Sequence, residues 1–257
     1  LTYIAEQFGL EYWLVGKSIN LTRMAGVSTN LDFEYGRGKG LYSLSRLAMD
    51  SYSYVNRLYA FGGTTNIPYD YRSGDRRLVF SERYLERPLL PGEKRREGSV
   101  VFEDIFPTRT GTVSTVSVDG LSFTDAAIDF DLNGQLIDGE QAKVVFKSGE
   151  LSGYEFEIAS YNHSTKTIRL TKIVEQNGYE LPNTTFEILT GDQYTLTGIN
   201  MPSTYITAAE AKLKVKATEK LNQISRPPYE VEIDEKYIRD NGVVLNAGDR
   251  VSIKDAA

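Results

Sequence analysis

The stretch from Ser203 to Asp255 begins S-T-Y-I-T-A-A-E-A-K-L-K-V-K-A-T-E-K-L-N-Q-I and contains the one long helical pattern of the sequence. Its apolar residues recur at spacings of three and four, which places them on one face of a helix. They are Ile206, Ala209, Leu213, Ala217 and Leu221. Pro202 precedes the pattern and Pro227-Pro228 follows it. Because proline cannot continue a helix, we predict one helix between these prolines.

The rest of this stretch predicts a small sheet. From Tyr229 to Asp234 apolar and acidic residues alternate, which is the period of a strand with one solvated face. Two further strands are predicted at Val243–Leu245 and Arg250–Ile253, joined by the turn residues N-A-G-D. A helix that leads into a small sheet is a structural unit, and its sequence does not indicate a reaction.

Composition limits the kinds of site that this chain can contain. It has 257 residues, no cysteine and one histidine, His163. This excludes disulfides, thiolate catalysis and a zinc site built from several Cys or His ligands. His163 lies between two predicted strands, so we interpret it as part of a hairpin turn rather than of a catalytic triad. Apolar runs stay well below the roughly 20 residues that cross a bilayer, so we expect no membrane span.

The distribution of charge separates the middle of the chain from its ends. The net charge of the whole chain is −6. Residues 101–200 contain 6 basic and 15 acidic residues, whereas residues 1–100 are slightly basic and residues 201–257 are neutral. Nucleic-acid binding depends on basic residues that neutralise phosphates, so we expect no nucleic-acid partner. The change in composition predicts a separate domain in the middle of the chain.

Strand patterns dominate the sequence outside the helix. A hairpin is predicted from Glu11–Val15 and Ser18–Thr22, and the middle of the chain has short strands at intervals of roughly ten residues, which is typical of a small barrel or sandwich. The predicted middle strands are Val113–Val118, Ala142–Lys147, Glu155–Ser160, Thr167–Ile173 and Phe186–Leu189. The fold class is therefore mainly β with one long helix, an α+β arrangement.

One segment in the middle of the chain fits the pattern of a calcium-binding loop. The side chains that would supply oxygens are Asp129, Asp131, Asn133 and Glu140, with Gly134 at the sharp turn. The sequence around this segment does not predict the helices that flank such a loop. A strand end followed by a turn explains the same residues, so a calcium site and a plain turn are both open interpretations.

Two other kinds of site are also open. Six aromatic residues within the range Tyr52–Tyr71 would suit a sugar-stacking platform, although packing on a sheet explains them as well. The acidic pairs Glu103-Asp104 and Glu155 with Glu157 have the residue type that glycoside hydrolases use. Since the chain has 35 acidic residues, such pairs also arise by chance.

Three segments of the chain carry a combination of motifs. The first is Val55–Pro68, V-N-R-L-Y-A-F-G-G-T-T-N-I-P, and the second is Asp104–Val113, D-I-F-P-T-R-T-G-T-V. The third lies in the stretch quoted first, and comprises Ala208–Ala211 and Leu245–Val251, L-N-A-G-D-R-V. In this order the segments resemble phage and prophage tail-tip proteins of the prophage tail endopeptidase and baseplate-hub group.

This resemblance implies a discontinuous hub-like domain, made of residues 1–100 and 201–257, into which an acidic all-β domain of residues 101–200 is inserted. It implies a homotrimeric ring in the virion tail that links the tail tube to a spike, a fibre or a host-recognition element. The partners would be copies of the chain itself, other tail proteins and the host surface. The protein would be made in the bacterial cytoplasm.

Lytic activity in such relatives resides in separate domains, so we expect no enzymatic activity, no catalytic residues and no cofactor other than calcium. Four motif residues are expected to serve backbone geometry and packing: Arg57, Gly62, Asn66 and Gly248. Two alternative functions stay open, a cell-surface carbohydrate-binding module and part of a cell-wall hydrolase. The chain starts at Leu1 rather than at a methionine, so we expect it to be a fragment of a longer protein.

Overall fold

The structure is a computed structural model that describes most of the chain. The described residues are Thr2, Ala5, 10–23, 25–46, 54–89, 91–175, 178–225, 229–246 and 248–254. Strands account for 35% of the described residues and helices for 16%, which confirms a mainly β fold with one long helix. Within the described ranges, no helix is both long and apolar enough to cross a membrane.

Short strands are the most frequent elements of the described residues, and two helices lie in their C-terminal part. In chain order the strands are β1 (Glu11–Val15), β2 (Ser18–Thr22), β3 (Ser28–Tyr35), β4 (Gly40–Arg46), β5 (Arg57–Gly62), β6 (Leu85–Glu86), β7 (Glu97–Phe102), β8 (Thr110–Thr112), β9 (Thr115–Val116), β10 (Ser122–Thr124), β11 (Lys143–Phe146), β12 (Glu155–Asn162), β13 (Thr167–Leu170), β14 (Ile173–Val174), β15 (Glu180–Leu181), β16 (Gln193–Thr197), β17 (Tyr229–Ile233) and β18 (Arg250–Lys254). Helix α1 spans Ser203–Ile224 and helix α2 spans Glu235–Asp240, with short 3-10 turns at Tyr71–Ser73 and Leu132–Gln135.

The chain divides into two compact units. The first joins both ends of the chain, residues 1–53 and 227–257, and the second is continuous, residues 54–226. The continuous unit starts and ends at neighbouring points, because the backbone N–H of Val55 donates a hydrogen bond to the carbonyl of Ile224 at 3.1 Å. Each unit has hydrophobic core residues of its own.

The sheet of the first unit combines strands from both ends of the chain. Its order is β17-β4-β3-β18, with β17 antiparallel to β4 and β18 parallel to β3. The core contains Leu31, Phe33 and Leu41, and Val231 and Ile233 of β17 pack against it. The predicted strand after the long helix is therefore confirmed, and its residues Val231 and Ile233 face the core.

The segment after β17 differs from its prediction. A strand was predicted at Val243–Leu245, but these residues form no strand, and helix α2 precedes them. This helix starts after Asp234, whose carboxylate accepts a hydrogen bond from the backbone N–H of Lys236 at 2.9 Å. Val243 and Leu245 lie outside the sheet and pack against its core, so their apolar pattern reflects burial and not a strand.

Helix α1 buries the predicted apolar stripe in the continuous unit. Ala209, Leu213, Ala217 and Leu221 are buried, and Ile206 is half-buried. The opposite side of the helix is exposed and carries lysines. The stripe covers a core whose other buried members are Ala60, Tyr71, Leu78, Val79, Phe80 and Ile105.

The acidic middle of the chain folds into a strongly curled sheet with the order β8-β16-β11-β12-β13-β10-β9. Strands β8 and β9 lie at opposite ends of this order although only Val113 and Ser114 separate them in the sequence. The N–H of Val113 donates to the carbonyl of Asp192 at 2.9 Å, and the N–H of Ser114 donates to that of Thr124 at 2.7 Å. One bent segment thus pairs with both edges, and the sheet curls into a small barrel.

One strand of this barrel lies outside its predicted segment. A strand was predicted at Phe186–Leu189, whereas the observed strand is β16. Asn183 explains the difference, because its side-chain carbonyl accepts hydrogen bonds from the N–H groups of Thr185 and Phe186 at 2.8 and 3.0 Å. Such bonds from an asparagine fix a turn where the apolar residues alone favour a strand.

The barrel has a core of its own, which includes buried residues from Val113 to Met201. Its strands, the first of which is β8 and the last β16, lie within residues 101–200, the range that was predicted as an inserted domain, and this domain division stays a prediction. The two compact units have other bounds. Residues 54–100 and helix α1 group with the barrel, because both lie in the continuous unit, and not with the ends of the chain.

Candidate functional site

The first two motif segments lie against each other through two glycines. The N–H of Gly63 donates to the carbonyl of Ile105 at 2.8 Å. A Cβ atom on Gly62 would lie 2.5 Å from the same oxygen, and one on Gly63 would lie 2.6 Å from the carbonyl oxygen of Glu103. Only glycine therefore lets the two backbones approach this closely.

Asn66 connects the two motif segments to the barrel. Its side chain is 3% exposed. Its amide donates hydrogen bonds to the carbonyls of Pro107 and Leu196 at 3.0 and 2.8 Å, and its side-chain oxygen accepts one from the N–H of Ile199 at 3.4 Å. Its φ of 60° is in the left-handed region, which asparagine adopts more readily than most residues. Asn66 therefore determines both a turn and the contact between three segments.

Arg57 and Gly248 also determine local geometry. Arg57 lies opposite Glu86 of β6 and Glu97 of β7 and forms ion pairs with them at 2.9 and 3.0 Å. A Cβ atom on Gly26 would lie 2.2 Å from the carbonyl carbon of Gly248, which has a φ of 95°. These contacts engage Arg57 and Gly248 within the fold, and a role of the four motif residues in backbone geometry and packing stays a prediction.

Arg109, in the second motif segment, forms a buried ion pair with Asp125. The two side chains are 8% and 1% exposed, and Nη1 of Arg109 donates to Oδ2 of Asp125 at 2.6 Å. The hydroxyl of Tyr194 donates to the same oxygen at 2.8 Å, and the N–H of Ala127 donates to Oδ1 at 2.9 Å. Both carboxylate oxygens are thus bonded, which is the condition under which a buried charge is tolerated.

The electrostatics of this cluster keep its charges fixed. Burial alone would raise the pKa of Asp125, but the hydrogen bonds from Arg109 and Tyr194 outweigh this effect and hold its pKa below the usual value. Burial and the neighbouring carboxylate raise the pKa of the Tyr194 phenol. The carboxyl of Asp125 therefore stays charged and the phenol of Tyr194 stays neutral around pH 7. The charges of this cluster do not change near that pH.

The same cluster reaches helix α1 and depends on a glycine. The hydroxyl of Tyr205, in the first turn of the helix, donates to Oδ1 of Asp129 at 2.6 Å, and Nε of Arg109 is 3.7 Å from that oxygen. A Cβ atom on Gly111 would lie 2.4 Å from the ring of Tyr194. The second motif, the barrel and the long helix therefore meet around one arginine.

The structure gives two of the predicted calcium ligands other partners. Asp129 accepts the bond from Tyr205, and Asp131 accepts one from the N–H of Asn133 at 3.0 Å, which starts the 3-10 turn Leu132–Gln135. Across the described residues, no group of three or more His, Cys, Asp or Glu side chains is arranged to hold a metal ion. Calcium binding by Asp129, Asp131, Asn133 and Glu140 stays a prediction.

Melting temperatures in calcium and in chelator test that prediction. Calcium bound to the folded chain alone would raise the melting temperature by mass action, and Glu140→Gln would abolish the rise. The control is Asp138→Asn, which removes an acidic residue of the same loop that is not among the predicted ligands. Equal melting temperatures with and without calcium would exclude the site.

The other candidate catalytic residues have ordinary surroundings. His163 lies in the turn between β12 and β13, as predicted, with Nδ1 3.2 Å from the hydroxyl of Tyr161. Glu103 forms an exposed ion pair with Arg77 at 2.7 Å. Both acidic side chains of the pair Glu155 and Glu157 are exposed on β12. All four of these residues, His163, Glu103, Glu155 and Glu157, therefore have side chains on the surface, on strands or in turns.

The aromatic residues within Tyr52–Tyr71 do not share one exposed surface. Tyr54 and Tyr71 are buried, with 7% and 8% exposure. Tyr59 is half-buried and packs against Tyr84, with ring centroids 5.6 Å apart. Tyr69 is 77% exposed. Tyr52 lies outside the described residues. Most of the described aromatic residues in this segment pack inside the fold, so they do not form the sugar-stacking surface that was predicted.

The hairpin of β1 and β2 exposes an apolar face. In its register Tyr12 lies opposite Leu21, and Leu14 lies opposite Ile19. Side chains alternate between the two faces of a strand, so these four residues share one face, which we call the apolar hairpin face. Tyr12 is 37% exposed, Leu14 62%, Ile19 50% and Leu21 46%.

The hairpin of β1 and β2 is a sheet of two strands, and among the described residues no third strand pairs with its edges. The exposure of the four side chains shows that their face is open. The opposite face is mixed, with Trp13 and Val15 beside Glu11, Ser18 and Asn20. Two isolated strands are only marginally stable in water, and an exposed apolar surface marks a contact with another molecule. The apolar hairpin face is therefore the candidate functional site.

A scan against protein-family models and searches of curated proteins and of solved structures give no match to this chain. The motifs, the buried clusters and the apolar hairpin face are therefore the observations from which its function is inferred.

Proposed function

We propose that this chain is a structural subunit of the tail tip or baseplate hub of a bacteriophage or prophage. Three copies form a ring in the virion tail that links the tail tube to a spike, a fibre or a host-recognition element. The chain is made in the bacterial cytoplasm and assembles with itself and with other tail proteins. The order of the motifs at 55–68, 104–113 and 245–251 supports the proposal, because it resembles that of tail-tip proteins.

The single observation that carries the proposal is the apolar hairpin face. In a closed ring of three copies the contact is heterologous: one surface of each copy packs against a different surface of the next, so a surface that is exposed on one chain is covered in the assembly. Leu14 and Ile19 lie opposite each other and are at least half exposed, so they have the most area to lose on contact. The occupant of this face is a second copy of the chain.

The motif residues are consistent with a structural role. Gly62, Gly63, Asn66 and Arg57 each determine how segments of one chain pack, and their side chains or backbone groups are engaged within that chain. A ring subunit needs a rigid frame that holds its contact surface in a constant geometry. Buried hydrogen bonds and close backbone contacts provide such rigidity.

The solution mass tests this assembly. We expect the mass from light scattering to rise with concentration toward three times the subunit mass of 28.8 kDa. The variant Leu14→Glu is expected to stay a monomer, because a carboxylate buried in an apolar contact without a partner costs several kcal/mol. The control is Val15→Glu, which changes a neighbour of similar exposure, 60% against 62%, on the opposite face of the hairpin.

The single tryptophan of the chain, Trp13, gives a second measurement because it lies on the opposite face of the hairpin, which it shares with Val15. If association uses the apolar hairpin face, the quenching of Trp13 fluorescence by acrylamide should depend little on the concentration of the wild type or of either variant. A wild-type chain that stays a monomer, equal association of both variants, or a tryptophan that becomes hard to quench as the mass rises would contradict assembly through this face.

A further inference from the structure

A cavity of about 1020 Å³ opens beside the hairpin of β14 and β15 in the continuous unit. Its walls are the turn 118–120, strand β15 with Glu175, Gly178 and Tyr179 before it, and the loop Pro182–Glu187. The volume is at the upper end of the range for sites that bind small molecules. It lies in the acidic middle of the chain, far in sequence from the apolar hairpin face.

Three aromatic side chains line this cavity: Tyr154, Tyr179 and Phe186. Tyr154 is half-buried and packs against the barrel core, so its position is fixed. Tyr179 is 66% exposed and Phe186 is 39% exposed. Large exposed aromatic faces in a concave site suit ligands with a flat apolar face. The C–H groups on one side of a pyranose ring form such a face.

The polar lining favours a ligand that donates hydrogen bonds and carries no negative charge. Glu175, Glu187 and Thr185 line the walls, and their oxygens accept hydrogen bonds from hydroxyl groups. The one basic residue of the lining, Lys172, is paired with Glu180 at 2.9 Å. The excess of carboxylates repels phosphates and sugar acids.

The walls of the cavity are held in place before any ligand arrives. Asn183 fixes the loop through the bonds to Thr185 and Phe186 described above, and its amide donates to the carbonyl of Glu180 at 2.9 Å. On the other side Asp119 is bonded to Arg169 at 2.9 Å. A site that is ordered in advance loses less conformational entropy when it binds.

We propose that this cavity binds an uncharged oligosaccharide, whose rings stack on Tyr179 and Phe186 and whose hydroxyls donate to the carboxylates and hydroxyls of the walls. This cavity contains no residue of the aromatic segment 52–71, and most of the described aromatic residues of that segment are packed inside the fold. The binding activity is independent of the proposed ring, so either can fail alone.

Ligand-observed NMR with the whole chain tests the proposal. The probes are three neutral oligosaccharides, N-acetylchitotriose, cellotriose and maltotriose, at millimolar concentration. We expect at least one to bind, and Tyr179→Ala or Phe186→Ala to weaken its affinity about tenfold or more, as truncation of an interface aromatic does. Tyr69→Ala, which removes an exposed tyrosine of the same unit outside the cavity, should leave the affinity unchanged.

Several results would overturn this assignment. They are the absence of binding by all three probes, equal affinity of the wild type and both aromatic variants, or binding of choline in place of the sugars, which would assign the aromatic residues to a cation. Melting temperatures check that the variants fold, and Thr185→Val provides a variant that keeps the aromatic faces and removes a hydroxyl. A weaker affinity in Thr185→Val supports the hydrogen-bonding part of the proposal.

Discussion

Replacement of Arg109 by methionine is expected to lower the free energy of unfolding by about 3–5 kcal/mol, the cost of leaving one partner of a buried ion pair alone. The carboxylate of Asp125 is 1% exposed, so water cannot take the place of the guanidinium. Tyr194 and Ala127 would remain as hydrogen-bond donors but bring no positive charge. Methionine fills a similar length, so the loss is mainly electrostatic. Denaturant unfolding measures it.

The matched control is Arg77→Met. Arg77 forms an ion pair with Glu103 at the short distance of 2.7 Å, but the two side chains are 38% and 64% exposed. Exposed pairs contribute about 0–1 kcal/mol, so this variant should lose little stability. A loss in Arg109→Met as small as that in Arg77→Met would contradict the importance of the buried cluster.

The pH dependence separates the charge of Asp125 from other effects of the same substitution. In the wild type its pKa is held below the usual value of 3.8, so its stabilisation is present above pH 3.8 and is lost as the pH falls through the folded-state value. In the variant, which lacks Arg109, burial raises the pKa of Asp125, so this carboxyl takes up a proton at a higher pH than in the wild type. The difference in stability between wild type and variant should therefore shrink as the pH falls toward and below 3.8. A constant difference would assign the loss to packing.

Replacement of Asn66 by alanine is the second change with a large expected effect, a loss of about 4 kcal/mol or more in the free energy of unfolding. The substitution leaves buried groups of Pro107, Leu196 and Ile199 without this partner, at about 1–3 kcal/mol for each group left unsatisfied. Alanine at a φ of 60° costs roughly 1–2 kcal/mol more. Thermal and denaturant unfolding measure the loss.

Asn66→Gly distinguishes the two contributions. Glycine adopts a φ of 60° without strain, so this variant loses the side-chain hydrogen bonds and keeps the backbone geometry. We expect it to be more stable than the alanine variant by about 1 kcal/mol. Equal losses would mean that backbone strain is negligible. Losses below about 0.5 kcal/mol in both variants would contradict the view that Asn66 connects the motif segments to the barrel.

Local patterns predicted the parts of the fold that depend on neighbours in sequence. The stripe from Ile206 to Leu221 determines helix α1, since residues three and four apart meet on one face. The closure of the barrel at Val113 and Ser114 could not be predicted, because it depends on pairing with Asp192 and Thr124 through the folded chain. Helix α2 was missed because its six residues are too few to establish a helical period.

The sequence predicted the hairpin of β1 and β2, but not that its apolar side chains are exposed. The run Y-W-L-V in β1 is continuously apolar, a pattern that also describes a strand buried on both sides, so the sequence does not tell that its side chains are exposed. The buried cluster had no local signal, because Asp125 lies 16 residues from Arg109 and 69 from Tyr194. The cavity residues Tyr179 and Phe186 come together only through the turns that Asn183 and the hairpin impose.

The hydrogen bond between Val55 and Ile224 has a consequence for the gene as well as for the protein. The codons for the whole continuous unit lie between two points whose products meet in space. Two crossovers, one at each of these points, would replace the coding sequence of the barrel, its cavity and helix α1 together. The new unit would then have to be joined to the two outer segments at points that lie only one backbone hydrogen bond apart. Lineages could therefore inherit this unit as one block while the sheet formed by the outer segments continues unchanged.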